Sequence, residues 1–494
     1  MKTNLTELVI RLRTATLCAA GALLLADSRC LSEEPVAAAP DRSLVEQVSK
    51  SIAQAADAFA ETAATRGGYV YQVTVDGKER FGEGTATETE IWVQPPGTPT
   101  VGLAMLRGYQ ATGQQRLLDH ATAAAEALIY GQLQSGAWMD RVDFDPRGKH
   151  AGPYRNGKGN KKGRNYSTLD DDKSQAAIRF LIEMDKAYEF KNQAIHDSVQ
   201  YALDSLLKAQ FDNGGFPQGW QKPVESFPVA KASYPDYDWR TEGRVKEYWD
   251  YATLNDGLAG TVSATLWLAY ETYQDDRYKD SLLRLGDFLI LAQMPEPQPA
   301  WAQQYSHALV PIWARKFEPP AISGAESEDA LRTLMFITEK TGERRFLQPI
   351  PAAIRWIKQS RLPAGQLARF YELRTNKPLY MVKDTYALTY DDSNLPTHYS
   401  FKADSKIDKI EQRYQLLAKS ETPSQGATSL NALRKAAVRI VDELDAQGRW
   451  LTSKERKPLT SQAPRKPNEL FLDSAVFSKN LTTLADYVTA AREP

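Results

Sequence analysis

Apolar positions recur along most of this chain at the spacing of amphipathic helices, and the helices come in pairs. The pairs are 98–113 with 115–132, 173–190 with 192–210, 256–275 with 277–294, and 323–341 with 345–360. Shorter helical stretches follow near 428–446 and 474–491. One β-like interlude, GGYVYQVTVDGKERFG at 67–82, alternates in polarity and carries an Asp-Gly turn. Several pairs share an ending: GQLQSGAWMD (131–140), AQFDNGGFPQGW (209–220) and AQMPEPQPAWAQQY (292–305). Weaker versions are SRLPAGQLARFYE (360–372) and LDAQGRWLT (444–452), so the step recurs roughly every 70 to 85 residues. A hairpin repeat of that period predicts an all-α fold. The expected architecture is an α/α toroid over 41–494, an incomplete barrel of helical hairpins. Its long loops and short β-strands would form a cleft at one face.

The polar segments 133–172, 211–256, 295–322 and 361–404 fall at the loop ends of the hairpins. They hold Trp220, Tyr234, Tyr237, Trp239, Tyr248, Trp249, Trp301 and Tyr305. Aromatic faces in a cleft suit sugar rings, and the neighbouring Arg and Lys suit carboxylated sugars. Asn213, Gly214 and Gly215 predict a turn with positive φ.

Composition narrows this picture. The 494 residues carry a formal net charge of −1, which argues against a dedicated nucleic-acid binder. A local imbalance is hidden in that total. RGKHAGPYRNGKGNKKGR (147–164) has seven Lys or Arg and no acid, and its glycines and proline make it a basic loop. The first 30 residues, with Arg11 and Arg13 ahead of an apolar run, have the layout of a signal peptide, and 31–40 read as a polar tether. The mature chain is then expected outside the cytoplasm, secreted or periplasmic, with no membrane span, as a monomer. Both cysteines, Cys18 and Cys30, lie in the first 30 residues, so cleavage after Cys30 would leave a mature chain with no thiol chemistry. No two of the five histidines have metal-ligand spacing, so no zinc site is expected. A metal here should be a hard cation held by oxygen.

Candidate oxygens stand in NYSTLDDDKSQAAIRFL (165–181), where Asp170, Asp171 and Asp172 precede a helix. One acid suffices as an N-cap. Three repel one another unless a divalent cation and a basic loop facing a polyanion neutralise them.

Five motifs occupy the loop regions in order: STLDDDKSQ (167–175), DNGGFPQGW (212–220), TLNDG (253–257), ARKFEPPAISGAES (314–327) and ARFYELRTNKPLY (368–380). Together, from about Trp92 to Tyr390, they resemble the pectate lyases of polysaccharide lyase family 10. The resemblance implies an α/α toroid that uses calcium to cleave polygalacturonate by anti β-elimination. It implies Asp170 and Asp256 as calcium-site acids, with Asp171 where many relatives have Asn. It implies Arg315 as the base that takes the C5 proton and Arg369 as a clamp on a substrate carboxylate. Asn255, Lys377 and Lys383 fall at substrate-binding positions, Lys383 where relatives carry a second arginine. Glu318 and Glu372 are expected as partners of the arginines. The family's closing Arg- and Trp-containing segment is replaced by SNLPTHYSF, and the stretch between Gln218 and Asn255 is longer than the family's.

Two other readings remain open on sequence. A toroidal glycoside hydrolase could use Asp170 and Asp256 as acid and base, but would leave the arginine motifs unexplained. A non-catalytic pectate-binding protein could sit on a decayed lyase scaffold. A terpene cyclase would want a greasy pocket in place of these polar, basic loops.

Overall fold

The computed structural model describes residues 42–420, 428–454 and 469–492. The leader, the tether and both cysteines lie outside the described residues. Twelve α-helices are present among the described residues. They are α1 Arg42–Ala63, α2 Thr98–Thr112, α3 Gln115–Tyr130, α4 Lys173–Ala187, α5 Gln193–Lys208 and α6 Leu258–Tyr273. The series continues with α7 Asp276–Ala292, α8 Gly324–Thr341, α9 Ile350–Gln359, α10 Ile407–Ala418, α11 Leu430–Asp442 and α12 Ser474–Arg492.

The expected pairs are α2–α3, α4–α5, α6–α7 and α8–α9. Helices α12, α2, α4, α6 and α8 pack side by side, while α1, α3, α5 and α7 lie against their outer faces. This is the α/α toroid. Gly102 lets α2 and α4 meet closely, because a Cβ there would stand 2.3 Å from the Phe180 ring. The last pair differs from expectation. Pro349 and Pro351 interrupt 345–360, leaving a 3-10 turn at Arg344–Leu347 before α9. Helices α1 and α10 were not singled out by periodicity. Helix α10 packs on α8 and α9, and α1 on α12.

The repeated endings have a physical role. Trp138, Trp301 and Trp450 each donate the indole N–H, at 2.8 Å, to a carbonyl of the helix before the loop: Leu128, Leu289 and Ile440. Gln132 and Gln210 reach across hairpins in the same way, each bonding its own loop and a carbonyl of the next helix pair at 2.9 Å. The tryptophans tie each loop to its own preceding helix, and the glutamines latch consecutive hairpins together. Gly214 has φ +89, as the turn prediction required, and a Cβ there would strike the Arg284 carbonyl.

All named strand pairs are antiparallel and short, the largest sheet having five strands. Two of the pairs, Ser167–Thr168 with Gly219–Trp220 and Ala252–Thr253 with Gln304–Tyr305, hold the loop ends of α4 and α6.

Candidate active site

The turns leading into α4 and α6 are built alike. Asp170 N–H bonds the Thr168 hydroxyl and Asn255 N–H bonds the Thr253 hydroxyl, each at 3.1 Å. Leu169 and Leu254 N–H groups bond the Gln218 and Gln303 carbonyls, each at 2.8 Å. Each glutamine then turns its amide onto the next residue, Gln218 to Asp170 at 2.8 Å and Gln303 to Asn255 at 2.7 Å. Asp171 and Asp256 follow, both left-handed, with φ 48 and 51. Non-glycine residues in that region hold local strain, which surrounding structure must enforce.

These turns bring Asp170, Asp171 and Asp256 together, one carboxylate oxygen of each lying within 4.8 Å of the others. None of the three acids of 170–172 caps α4 with its side chain, contrary to the one-acid N-cap expectation. Asp172 sits at the cap position with φ 62, and its carboxylate goes sideways to Arg179 at 2.6 Å. Lys173, which the sequence reading passed over, enters the cluster instead. It is 5% exposed, with Nζ 2.7 Å from Asp170 and 3.6 Å from Asp171.

The three carboxyls differ in proton affinity. Burial pushes Asp170 up, but Lys173, Arg315 and the Gln218 amide outweigh it and hold its carboxyl below the ordinary range. Burial and the Asp170 charge raise Asp171. Asp256, with its side chain 27% exposed, is pushed up to about 7 by desolvation and by Asp171, Asp170 and Glu326, against the pull of Arg369. Three convergent hard oxygens fit a calcium ion, with Lys173 as a built-in counter-charge.

Two arginines border this cluster. Arg369 is 3.7 Å from Asp256 and 2.7 Å from the buried Glu326. Arg315 grips Glu318 through Nε at 2.8 Å and Nη2 at 2.6 Å. Burial works against its charge, but the Glu318 bonds prevail and raise its proton affinity above the usual arginine range. Glu318 is thus the expected partner of Arg315. Glu372 instead bonds Arg240, Thr375 and Tyr390, while Arg369 takes Glu326.

Tyr399 lies between the arginines, its ring 4.5 Å from the Arg369 guanidinium and 5.8 Å from that of Arg315. Its hydroxyl donates to Glu318 at 3.0 Å. It comes from SNLPTHYSF, the segment that departs from the family pattern, and no sequence signal marked it. Asn255 is buried against Asp256 and Gln303. Lys377 and Lys383 are not buried; Lys377 lies over the Tyr390 ring at 5.2 Å, and neither meets the acidic cluster through a direct contact.

A cavity of about 580 Å³ opens on the cluster, lined among others by Arg164, Asp170, Lys173, Gln218, Tyr248 and Trp249. The basic loop therefore contributes Arg164 to the cleft. The aromatic group divides. Tyr248 and Trp249 line the cavity, whereas Trp301 and Tyr305 are core residues, Tyr305 bonding the Ala292 carbonyl at 2.8 Å.

Residues 132–367, which include both acidic turns and Arg315, match the family described as pectic acid lyase. The match is to a family of pectate lyases and spans somewhat less than half of the chain. Two solved structures of a family 10 polysaccharide lyase from Cellvibrio cellulosa are similar to the chain. One is an aspartate-to-alanine mutant in complex with a trigalacturonic acid, at 20% identity over 60% of this chain and 91% of that one, TM-score 0.44. The other, without the mutation, shares 21% identity over 63% and 95%, also TM-score 0.44. A cellobiose 2-epimerase from Spirochaeta thermophila is similar at 14% identity over 92% of this chain and all of that one, TM-score 0.45. No curated protein matches the sequence. Within the matched segment lie all the acids of the cluster, while Arg369 and Tyr399 fall beyond its end.

Proposed function

We propose that the protein is an exported, calcium-dependent pectate lyase that cleaves polygalacturonate by anti β-elimination, leaving 4,5-unsaturated oligogalacturonates. The observation that carries this reading is the convergence of Asp170, Asp171 and Asp256 beside Arg315 and Arg369 within or next to the family-matched segment. Calcium, when bound by the three acids, would neutralise the uronate carboxylate and lower the cost of negative charge developing at C5.

The chain's own residues supply the rest. Arg369, fixed by Glu326, presents a planar fork to a uronate carboxylate. Arg164, Tyr248 and Trp249 receive the adjoining sugars along the cavity wall. Arg315 takes the C5 proton, with Glu318 fixing the guanidine through two of its nitrogens. The ion pair keeps Arg315 protonated at rest, so it acts only in the small neutral fraction.

A hydrolase reading fares worse. Asp170 and Asp256 as base and acid would leave Arg315 and Arg369, both set beside the cluster, without a role. The deciding assay is ultraviolet absorbance during digestion of polygalacturonate. Elimination conjugates a new double bond to the carboxylate, whereas hydrolysis makes only a reducing end. Absorbance that rises with calcium and stops with chelator is expected; reducing ends without absorbance would overturn the lyase reading.

A further inference from the structure

Away from the acidic cluster, three donors converge that elimination does not use. Glu90 and Asp143 face each other across the antiparallel pair 90–92 with 141–143, and each is 2% exposed. His150, from the basic loop, places Nδ1 against Glu90 Oε1. One donor atom from each of the three lies within 4.8 Å of the other two.

Like charges directly opposite in a strand pair are unfavourable, and burial sharpens the cost. Compensation here is thin. Arg141 Nη1 comes no nearer to Glu90 than 3.8 Å; its Nε is bonded to Asp140 at 2.8 Å and its guanidinium lies over Trp92. Glu90 Oε2 accepts the Thr87 N–H at 2.8 Å. Asp143 Oδ1 accepts the Thr89 hydroxyl at 2.9 Å and the Asp145 N–H at 3.1 Å. Asp143 Oδ2 accepts no hydrogen bond from the described residues. It faces Gly148, where a Cβ would stand 1.9 Å away, so only glycine lets the loop close over it. One carboxylate oxygen of a buried aspartate is therefore left over, in a group whose other members are a second buried carboxylate and an imidazole.

We propose that Glu90, Asp143 and His150 form a second metal site, for zinc or a similar first-row divalent cation. One imidazole nitrogen with two carboxylate oxygens suits zinc better than calcium, with water completing the coordination. The site joins the basic loop to the strand pair, and Arg164 at the far end of that loop lines the cleft. An ion here fixes the start of the segment that presents positive charge to a polyanion. The three donors come from separate segments, which is why spacing between histidines did not reveal them.

The test uses untagged, chelator-stripped protein and one equivalent of cobalt(II). Visible ligand-field bands at one-to-one stoichiometry, displaced by zinc and not by excess calcium, are expected. Zinc should also raise the melting temperature. His150→Ala and Asp143→Asn should each weaken cobalt binding by more than the ~10- to 100-fold that loss of an outer-shell partner costs. His196→Ala, which breaks a different histidine–carboxylate pair, should leave it unchanged. No bands and no zinc-dependent shift at stoichiometric metal, or a His150→Ala variant that binds as tightly as the parent, would overturn the proposal.

Discussion

Asp171 and Asp256 are the same residue of two successive hairpins. Their backbones agree within a few degrees, φ 48, ψ 37 against φ 51, ψ 36, and their carboxylates meet in one cluster. By the same register Asp170 corresponds to Asn255, so the two acids that the family resemblance pairs, Asp170 and Asp256, occupy different positions of the repeat. The cluster is thus one repeated aspartate, taken twice, plus one acid unique to the α4 turn.

Lys173 shares that cluster, and its ammonium competes with any other cation for Asp170 and Asp171. A unit charge at about 4 Å contributes roughly 1 to 4 kcal/mol between water and a partly shielded site. Lys173→Met should therefore tighten calcium binding by roughly tenfold or more, read by titration calorimetry. Weaker binding would mean that Lys173 instead holds Asp170 in place for the ion.

Protons should compete with calcium at Asp256. Its carboxyl is pushed up to about 7 in the metal-free fold, against ~3.9 for an unfolded chain. Between those values the folded protein keeps a proton that the unfolded chain releases, so stability falls as pH rises. In chelator, the urea midpoint should drop from pH 5 to pH 7 by more in the parent than in Asp256→Asn. Calcium should reverse the parent's trend, because it favours the ionised form. A parent and variant with equal slopes would refute this assignment.

If Arg315 is the base, turnover should keep climbing with pH through the neutral and alkaline range without levelling near 7. The Glu318 ion pair makes the neutral guanidine scarcer, so Glu318→Gln should shift the profile toward lower pH. Arg315→Lys should lose at least ~100-fold in turnover, the scale of a positioned acid–base group. A plateau centred near neutrality would point to a different proton acceptor.

Arg369 has a structural duty as well as a binding one. Its side chain is 14% exposed and neutralises Glu326, which is 2% exposed. Arg369→Met strands that carboxylate and should cost about 3 to 5 kcal/mol of stability, seen in denaturant melts. Adding Glu326→Gln should recover most of the stability while leaving the rise in KM for polygalacturonate. Recovery of both would show that Arg369 does not touch substrate.

Much of the fold was legible because the hairpin endings repeat. Their Trp residues make the same buried bond in the first and third hairpins and their Gln residues in the first and second, and such bonds leave a periodic trace in sequence. Asp170, Asp171, Asp256, Arg315 and Arg369 were readable from short motifs, and the structure gathers them. Lys173 was not, since a lysine opening a helix looks like any solvated first-turn residue until its burial is known. Tyr399 and Glu326 escaped for another reason. Each acts through a partner distant in sequence, and their local sequence gives no sign of it. The aromatic loop group misled in part, because Trp301 and Tyr305 serve the same latching geometry as the core.

Helix α12 packs against both α1 and α2, and strand 471–473 pairs with 72–74 near the opposite end of the chain. The Ser474 N–H bonds the Tyr71 carbonyl at 2.9 Å, sealing the junction. A chain emerging from synthesis in order therefore presents α1 and α2 without this neighbour until residues 471–492 appear. Until then the apolar faces of α1 and α2 lack their partner, and premature closure of the ring has no template. Ring closure thus waits on a contact between segments about 400 residues apart, which places it among the slowest to form.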